Sequence, residues 1–168
     1  MKYIVLSDIH GGIDELNKVL DIYLNEHCSK LLILGDLFDY GFSLNREDII
    51  NRINYMDNII IVRGNCDYNI NGIKHNMPYT QNTYLNNKKV TLTHGHLYNK
   101  SDLLDTDSDI IYIGHSHIPN IEMIGNKILV NPGSIAKSRS GENTFALIDD
   151  TKIYIRNLDN KTLFSKNI

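Results

Sequence analysis

Residues 2–12 read KYIVLSDIHGG, and this stretch sets the interpretation of the whole chain. Lys2–Ser7 is short, apolar and β-branched, which is typical of a buried strand. Asp8, His10 and two glycines follow it directly and predict a polar loop. After the glycines, apolar residues recur at helical spacing, which predicts an amphipathic helix ending near His27. A strand, a loop and a helix in this order predict an α/β opening.

The same pattern of an apolar strand followed by polar residues occurs twice more. Lys30–Leu34 precedes Asp36, and Asn58–Val62 precedes Asn65. Ligand sites of open α/β sheets collect at the carboxyl ends of strands. We therefore expect these polar residues to meet at one edge of a sheet.

The rest of the chain is richer in strands. A helix is expected to begin near Leu44 or Asn45. Short strands are predicted at Asn82–Leu85, Lys88–Thr93, Asp109–Ile113, Ile118–Ile124, Lys127–Val130, Asn143–Ile148 and Lys152–Asn157, the last two forming a closing hairpin. An α/β half followed by a β-rich half predicts two packed sheets with helices outside, in a single domain over residues 1–168.

Composition and charge narrow the class of protein. The chain is 42% hydrophobic and 22% charged, as expected of a folded globular domain. Its net charge of −3 and pI of about 6.1 provide no basic field for stable nucleic-acid binding. No apolar run approaches the roughly 20 residues that cross a bilayer, and Met1–Tyr3 leads into a strand instead of a signal peptide. We expect no membrane partner, a cytoplasmic location, and free thiols at Cys28 and Cys66.

Five polar clusters that follow predicted strands carry the chemistry. Their central residues are Asp8 with His10, Asp36, Asn65, His94, and His115 with His117. Carboxylate, imidazole and amide oxygen are ligands for Mn²⁺, Fe²⁺, Zn²⁺ or Co²⁺. Side chains two residues apart in an extended segment point to the same side, so Asp8 and His10 can converge on one ion. His115 and His117 have the same spacing and can straddle two ions. Two ions about 3.5–4 Å apart need a bridging carboxylate, for which Asp36 is the candidate.

These clusters resemble, in order and spacing, the motifs of the calcineurin-like metallophosphoesterase superfamily: D-x-H, G-D, G-N-x-D or E, a lone His, and G-H-x-H. The sequence is most similar to the small bacterial and archaeal YfcE-type phosphodiesterases, in S-D-I-H-G, L-G-D, R-G-N-C-D, L-T-H-G-H, G-H-S-H and the N-P-G-S of residues 131–134. The resemblance implies a four-layer α/β/β/α sandwich, with two mixed sheets flanked by helices.

The resemblance also implies two divalent ions per chain. One would bind Asp8, His10, Asp36 and His117, and the other Asp36, Asn65, His94 and His115. Manganese is the expected ion, with nickel, cobalt, iron and zinc as alternatives. The implied reaction is hydrolysis of a small phosphodiester by a metal-bridging hydroxide, with Asn65, Cys66 and His94 as the catalytic residues.

Cys66 departs from the wider superfamily, whose larger members have a histidine at this position. An imidazolium there can protonate the leaving oxygen or stabilise phosphoryl charge, whereas a thiol with a pKa near 8.5 is a poor substitute. We therefore expect substrates with good leaving groups, such as aryl or nucleotide diesters, over alkyl monoesters.

Five further residues are candidates for supporting the ligands or contacting substrate. His96 lies two positions after His94 and could support a ligand or contact the substrate. Asp39 could orient a ligand or simply form a turn. Asp67 is expected to fix the loop of Asn65. Arg63 and Arg139 could contact phosphate through bidentate hydrogen bonds, although surface arginines are common.

Two other functions remain open at this stage. One is a phosphomonoesterase or nucleotidase; the other is a non-catalytic protein-interaction scaffold on the same fold, as in the retromer subunit that resembles these enzymes. The presence of every ligand position argues against the scaffold. A nuclease for long nucleic acid is disfavoured by the acidic pI. A homo-oligomer is compatible with the sequence.

Overall fold

The computed structural model describes residues 1–41, 43 and 45–168. Its elements are, in chain order, β1 (Tyr3–Leu6), α1 (Ile13–Asn25), β2 (Lys30–Ile33), α2 (Arg46–Asn54), β3 (Ile59–Ile61), β4 (Thr80–Leu85), β5 (Lys88–Thr93), α3 (Lys100–Leu104), β6 (Ile110–Ile113), β7 (Asn120–Ile124), β8 (Lys127–Asn131), β9 (Thr144–Ile148), β10 (Lys152–Asn157) and β11 (Thr162–Asn167).

The strands form two mixed sheets. The first has the order β11-β10-β9-β1-β2-β3, in which β1, β2 and β3 are parallel and the other pairs antiparallel. The second has the order β4-β5-β6-β8-β7, with β5, β6 and β8 parallel. This arrangement confirms the predicted α/β fold class with two mixed sheets.

Strand β1 is buried on both faces, because its alternate side chains enter two different cores. Ile4 and Leu6 join the core formed with α1 and α2. Tyr3 and Val5 enter the core between the two sheets, where the hydroxyl of Tyr3 lies 2.8 Å from that of Tyr112. This double burial explains why β1 is apolar throughout instead of alternating. The carboxyl end of β1 is thereby fixed within the molecule.

The predicted boundaries differ from the structure at several places. Strand β7 begins at Asn120 and not at Ile118, because Pro119 has no N–H to donate to the sheet. The predicted hairpin of β9 and β10 is present, but the prediction that it closes the chain is wrong, because β11 follows it and forms the edge of the sheet. The short α3 was also missed. Helix α2 begins directly after Asn45, whereas Leu44 lies outside the described residues.

Among the helices described, none combines the length and the apolar character needed to span a bilayer.

Candidate metal centre

The seven predicted ligands lie just beyond the carboxyl ends of five strands. Asp8 and His10 follow β1, Asp36 follows β2, Asn65 follows β3, His94 follows β5, and His115 and His117 follow β6. Backbone hydrogen bonds tie neighbouring loops together, from Asp8 N to Gly35 O at 3.1 Å and from Gly114 N to His94 O at 3.1 Å. The two sheets thus present their polar loops at one place.

Five of these residues have left-handed backbone conformations. Their φ angles are 56° for Asp8, 43° for His10, 51° for Asp36, 66° for His115 and 60° for His117. This region is costly for residues with a Cβ, although Asp, Asn and His enter it more readily than most. Such strain concentrates at functional sites, where it fixes the direction of a side chain.

Asp8, His10 and His117 form the first group of converging donor atoms. Asp8 Oδ1 lies 3.2 Å from His117 Nε2 and 3.7 Å from His10 Nε2, and the two Nε2 atoms are 3.3 Å apart. All three side chains are at least nine-tenths buried. Donor atoms of all three residues lie within 4.8 Å of one another, a spacing that suits one shared cation.

Asp36, His94 and Asn65 form the second group. Asp36 Oδ2 lies 3.4 Å from His94 Nε2 and 3.7 Å from His10 Nε2, so its carboxylate stands between the two groups. Asn65 Oδ1 lies 3.1 Å from His94 Nε2. The ring of the more exposed His115 meets that of His94 edge-on, with centroids 5.2 Å apart. The Asp36 carboxylate is therefore close to the donor atoms of both groups.

The outer ring nitrogens of three histidines determine what their inner nitrogens can do. His10 Nδ1 lies 2.9 Å from Asp39 Oδ1, His94 Nδ1 lies 2.8 Å from the Leu34 carbonyl, and His117 Nδ1 lies 2.6 Å from the Lys137 carbonyl. A carboxylate or carbonyl oxygen only accepts, so each Nδ1 carries a proton and donates. In the neutral imidazole, each Nε2 then turns a lone pair toward the centre.

Lone pairs and carboxylate oxygens therefore face one another in a buried space. Asp8 Oδ1 accepts no hydrogen bond from the described residues, although its side chain is fully buried. Burial acts against its charged form, yet the neighbouring His10 and His117 hold the pKa of Asp8 well below its usual range. Burial also lowers the pKa of His94, but Asp36 and Asp8 outweigh it and raise that pKa overall. The donor set and its demand for positive charge fit divalent cations.

Asp39 and Asp67 hold the ligands from behind. The Asp39 carboxylate accepts from His10 and also from Lys137 Nζ at 2.5 Å. Asp67 is buried and accepts the backbone N–H groups of Asp36, Leu37 and Gly64 at 2.8, 2.8 and 2.9 Å. Asp67 thus joins the loop of Asp36 to the loop of Asn65, the loop that the sequence analysis expected it to fix.

Gly64 is required by the closeness of these two loops. A Cβ at this position would lie 2.1 Å from Asp36 Oδ1 and 2.3 Å from the Asp36 backbone nitrogen. The nitrogen is backbone, and Oδ1 is held in place by the Cys66 N–H at 2.7 Å. A glycine is therefore the residue that lets the candidate bridging carboxylate approach β3.

Cys66 lies inside the candidate centre as a buried thiol. Its backbone N–H donates to Asp36 Oδ1 at 2.7 Å, and Asn65 Nδ2 lies 3.4 Å from its Sγ. Burial, with the nearby Asp36 carboxylate, raises the pKa of the Cys66 thiol to about 12. The side chain is therefore protonated and neutral at physiological pH.

The other predicted contacts lie at the rim. His96 is close to His94, with ring centroids 5.3 Å apart, and burial lowers its pKa. Arg63 has its guanidinium carbon 5.7 Å from the centre of the Tyr79 ring. Arg139 is exposed, and its backbone N–H donates to the His117 carbonyl at 3.1 Å.

Several supporting residues were given no role from the sequence. Asn131 donates to the Gly114 carbonyl at 2.8 Å, and the hydroxyl of Ser134 donates to the Asp8 carbonyl at 2.7 Å. Both belong to the N-P-G-S motif, and this motif was the sequence feature from which their supporting role could have been inferred. Tyr40 accepts from Asn65 Nδ2 at 2.5 Å, and no sequence pattern indicated this contact.

Comparisons with known proteins agree with the motifs. Residues 1–152 match the calcineurin-like phosphoesterase superfamily domain. Phosphodiesterase YfcE of Escherichia coli K12 is 28% identical over 178 aligned positions, covering 99% of this chain and 97% of YfcE. The YfcE structure, a phosphoesterase from E. coli, aligns with a TM-score of 0.90 at 26% identity over 99% of this chain and 98% of that one. Wild-type Vps29 of Entamoeba histolytica, complexed with Zn²⁺, aligns at 0.70 and 23% identity over 100% and 98%, which shows a shared fold.

These matches confirm the family that the five motifs indicated. They also support two of its properties for this chain: it is a hydrolase that acts on phosphoesters, and it requires divalent metal ions. By the match over residues 1–152, the chain belongs to the calcineurin-like phosphoesterase superfamily.

Proposed function

We propose that the protein is a dinuclear metal-dependent phosphodiesterase acting on small phosphodiesters. One observation carries the proposal: the Nε2 lone pairs of His10, His94 and His117 face the carboxylates of Asp8 and Asp36 in a buried space. Such an arrangement is repulsive without positive charge between the groups. The likeness to the phosphodiesterase YfcE supports the substrate class.

The ligands divide into two sets. Asp8, His10, Asp36 and His117 would hold one ion, and Asp36, Asn65, His94 and His115 the other. The first set is supported by distances of 3.2–3.7 Å between donor atoms, and the second by the 3.4 Å and 3.1 Å distances from His94 Nε2 to Asp36 and Asn65. The more exposed His115 would complete the second set from the solvent side.

Two ions at this centre would supply positive charge to the phosphoryl oxygens and an activated water as the nucleophile. The remaining steps depend on the chain itself. Asn65 and His94 lie 3.1 Å apart with His115 beside them, and we expect these residues to contact the phosphoryl group. Cys66 offers a buried thiol where an imidazolium could otherwise protonate a leaving alkoxide, and a thiol is a weak general acid for that step. Aryl or nucleotide diesters, whose leaving groups need little protonation, suit this centre best.

We propose manganese as the native ion and the cytoplasm as the location, with one domain over residues 1–168. Mixed imidazole and carboxylate ligands are compatible with Mn²⁺. The net charge of −3 favours a small substrate over a long nucleic acid.

Metal removal and replacement test the proposal. Exhaustive EDTA treatment should abolish hydrolysis of bis-p-nitrophenyl phosphate, and added Mn²⁺ should restore it. The variant Asp36→Asn should lose this activity, whereas Asp107→Asn, which alters a 90% exposed carboxylate paired with Lys89, should retain it. Hydrolysis that survives chelation would refute a metal mechanism.

A scaffold is the second candidate, because the fold is shared with Vps29, one structure of which contains Zn²⁺. The same assay separates the two functions. A chain that binds metal in calorimetry but hydrolyses no diester with Mn²⁺, Ni²⁺, Co²⁺ or Zn²⁺ would be a scaffold.

A further inference from the structure

A small cavity adjoins the candidate metal centre. It has a volume of about 320 Å³, and its lining includes Arg63, Asn65, Asp67, Tyr68, Tyr79 and His96. Asn65 belongs to both the cavity and the centre, and the ring of His96 is 5.3 Å from that of His94. A molecule bound at the centre can therefore extend into this cavity. Its volume is at the low end for ligand sites, which suits one small group.

Two nitrogen atoms in the cavity wall are buried without a hydrogen-bond partner. They are Nε of Arg63 and Nδ1 of His96, as far as the described part of the chain shows. Buried polar atoms are nearly always satisfied in folded proteins, so each such atom requires an explanation. Because both atoms are inaccessible, a ligand in the cavity would meet the guanidinium as a whole and not these nitrogens, and among the described residues Arg63 has no ion-pair partner to neutralise it.

The acidic residue in this wall does not neutralise Arg63. The carboxylate oxygens of Asp67 already accept three backbone N–H groups, at 2.8, 2.8 and 2.9 Å. Arg63 instead lies over the ring of Tyr79, 5.7 Å from its centroid, which orients the guanidinium and leaves its charge available. The side chain of Tyr68, 72% exposed, stands at the same cavity. The wall thus offers a positive charge stacked on one aromatic ring, with a second tyrosine at the same cavity.

We propose that this cavity binds a second anionic group of the substrate, a carboxylate or phosphate carried by one of the two ester substituents. The proposal rests on the phosphodiesterase function above and refines its substrate class. The scissile phosphoryl group occupies the metal centre, the Arg63 guanidinium binds the second anion beside His96, and the tyrosine rings contact the carbon atoms between the two anions. Charge-assisted bonds to a guanidinium provide both affinity and direction.

Two non-hydrolysable probes test this proposal by binding. Propylphosphonate and 3-phosphonopropionate share the phosphonate that a metal centre binds, and only the second carries a carboxylate on the tail. Calorimetric titration of the Mn²⁺-loaded protein should give at least about tenfold tighter binding of 3-phosphonopropionate. Equal affinities in the wild-type protein would overturn the proposal without any variant.

Variants identify the group responsible. Arg63→Gln should abolish the preference and leave the affinity for propylphosphonate unchanged, and Arg63→Lys should keep part of the preference. Arg52→Gln, which removes an exposed arginine on α2, is the matched control and should behave as wild type. If Arg63→Gln weakens both probes by the same factor, Arg63 contacts the scissile phosphoryl group and the proposal is wrong.

Binding and turnover are measured separately, so the two proposals can fail independently. A protein that prefers 3-phosphonopropionate but does not hydrolyse bis-p-nitrophenyl phosphate would retain the anion site and lose the phosphodiesterase function. A protein that hydrolyses the diester but binds both probes equally would keep the function and lose the anion site.

Discussion

Replacing Asp39 with asparagine should weaken metal binding by about tenfold. Asp39 accepts the Nδ1 proton of His10 at 2.9 Å and so directs the Nε2 lone pair toward the centre. Loss of such a supporting contact costs 10–100-fold in metal affinity. The Asp39 side chain is 40% exposed and shares its charge with Lys137, so we expect the lower end of that range, about 1.4 kcal/mol.

The assay is calorimetric titration of the metal-free protein with Mn²⁺, accompanied by activity measured against Mn²⁺ concentration. Saturating Mn²⁺ should restore most of the activity, because Asp39 positions a ligand and does not contact the metal. The metal-free melting temperature should be unchanged, as it should be in the control Asp107→Asn. Unaltered Mn²⁺ affinity in Asp39→Asn would refute the reasoning; so would a fall in metal-free stability equal to the loss of binding.

Three further predictions concern other parts of the molecule. Cys66→His should raise hydrolysis of an alkyl monoester such as glycerol 3-phosphate about tenfold more than that of bis-p-nitrophenyl phosphate, because it introduces a proton donor that a leaving alkoxide needs and p-nitrophenolate does not; equal gains would contradict this. Gly64→Ala should cost about 2–3 kcal/mol in urea unfolding, because the new Cβ would lie 2.1 Å from Asp36 Oδ1, and unchanged stability would show that the loop can shift. Hydrogen bonds led by that from Lys2 lower the pKa of Glu26 from 4.5 to about 2, so its stabilisation is complete above pH 4.5 and lost as pH falls to about 2. Glu26→Gln should therefore be less stable than wild type by about 1 kcal/mol at pH 7 and equal to it below pH 2 in thermal melts, whereas a constant difference would exclude charge as the cause.

The sequence predicted the fold best where burial leaves a clear pattern. β1 and β2 are short apolar runs because both faces of each are covered, and both were identified to within a residue or two. β11 was missed because it is an edge strand with mostly exposed or half-buried residues, so no alternation marks it. Helix α3 has only five residues, too few for a helical period to be visible.

The candidate ligands could be predicted because each follows a strand, and parallel strands bring their ends together. For the contacts behind the ligands the sequence offered candidates, Asp39 and Asp67, but it could not pair Asp39 with a particular ligand, because such contacts join residues distant in sequence. His10 and Asp39 are 29 positions apart, and their bond depends on how the loops after β1 and β2 pack. The cavity of Arg63 and His96 likewise depends on the approach of loops after β3 and β5, for which no local sequence pattern exists.

The backbone explains how a repulsive cluster is held together. Left-handed conformations at Asp8, His10 and Asp36 cost roughly 1–2 kcal/mol each and persist only where surrounding contacts enforce them. Those contacts are present: the Asp8 carbonyl accepts a hydrogen bond from the Ser134 hydroxyl, and the Asp67 carboxylate accepts one from the backbone N–H of Asp36 at 2.8 Å. These two contacts involve backbone atoms of the ligand loops, and the backbone N–H groups of Cys66 and His115 hold the outer oxygens Asp36 Oδ1 and Asp8 Oδ2, which leaves Asp8 Oδ1 and Asp36 Oδ2 directed at the centre. The loops therefore fix the direction of the side chains independently of the ions, so the ions would bind to a preorganised centre.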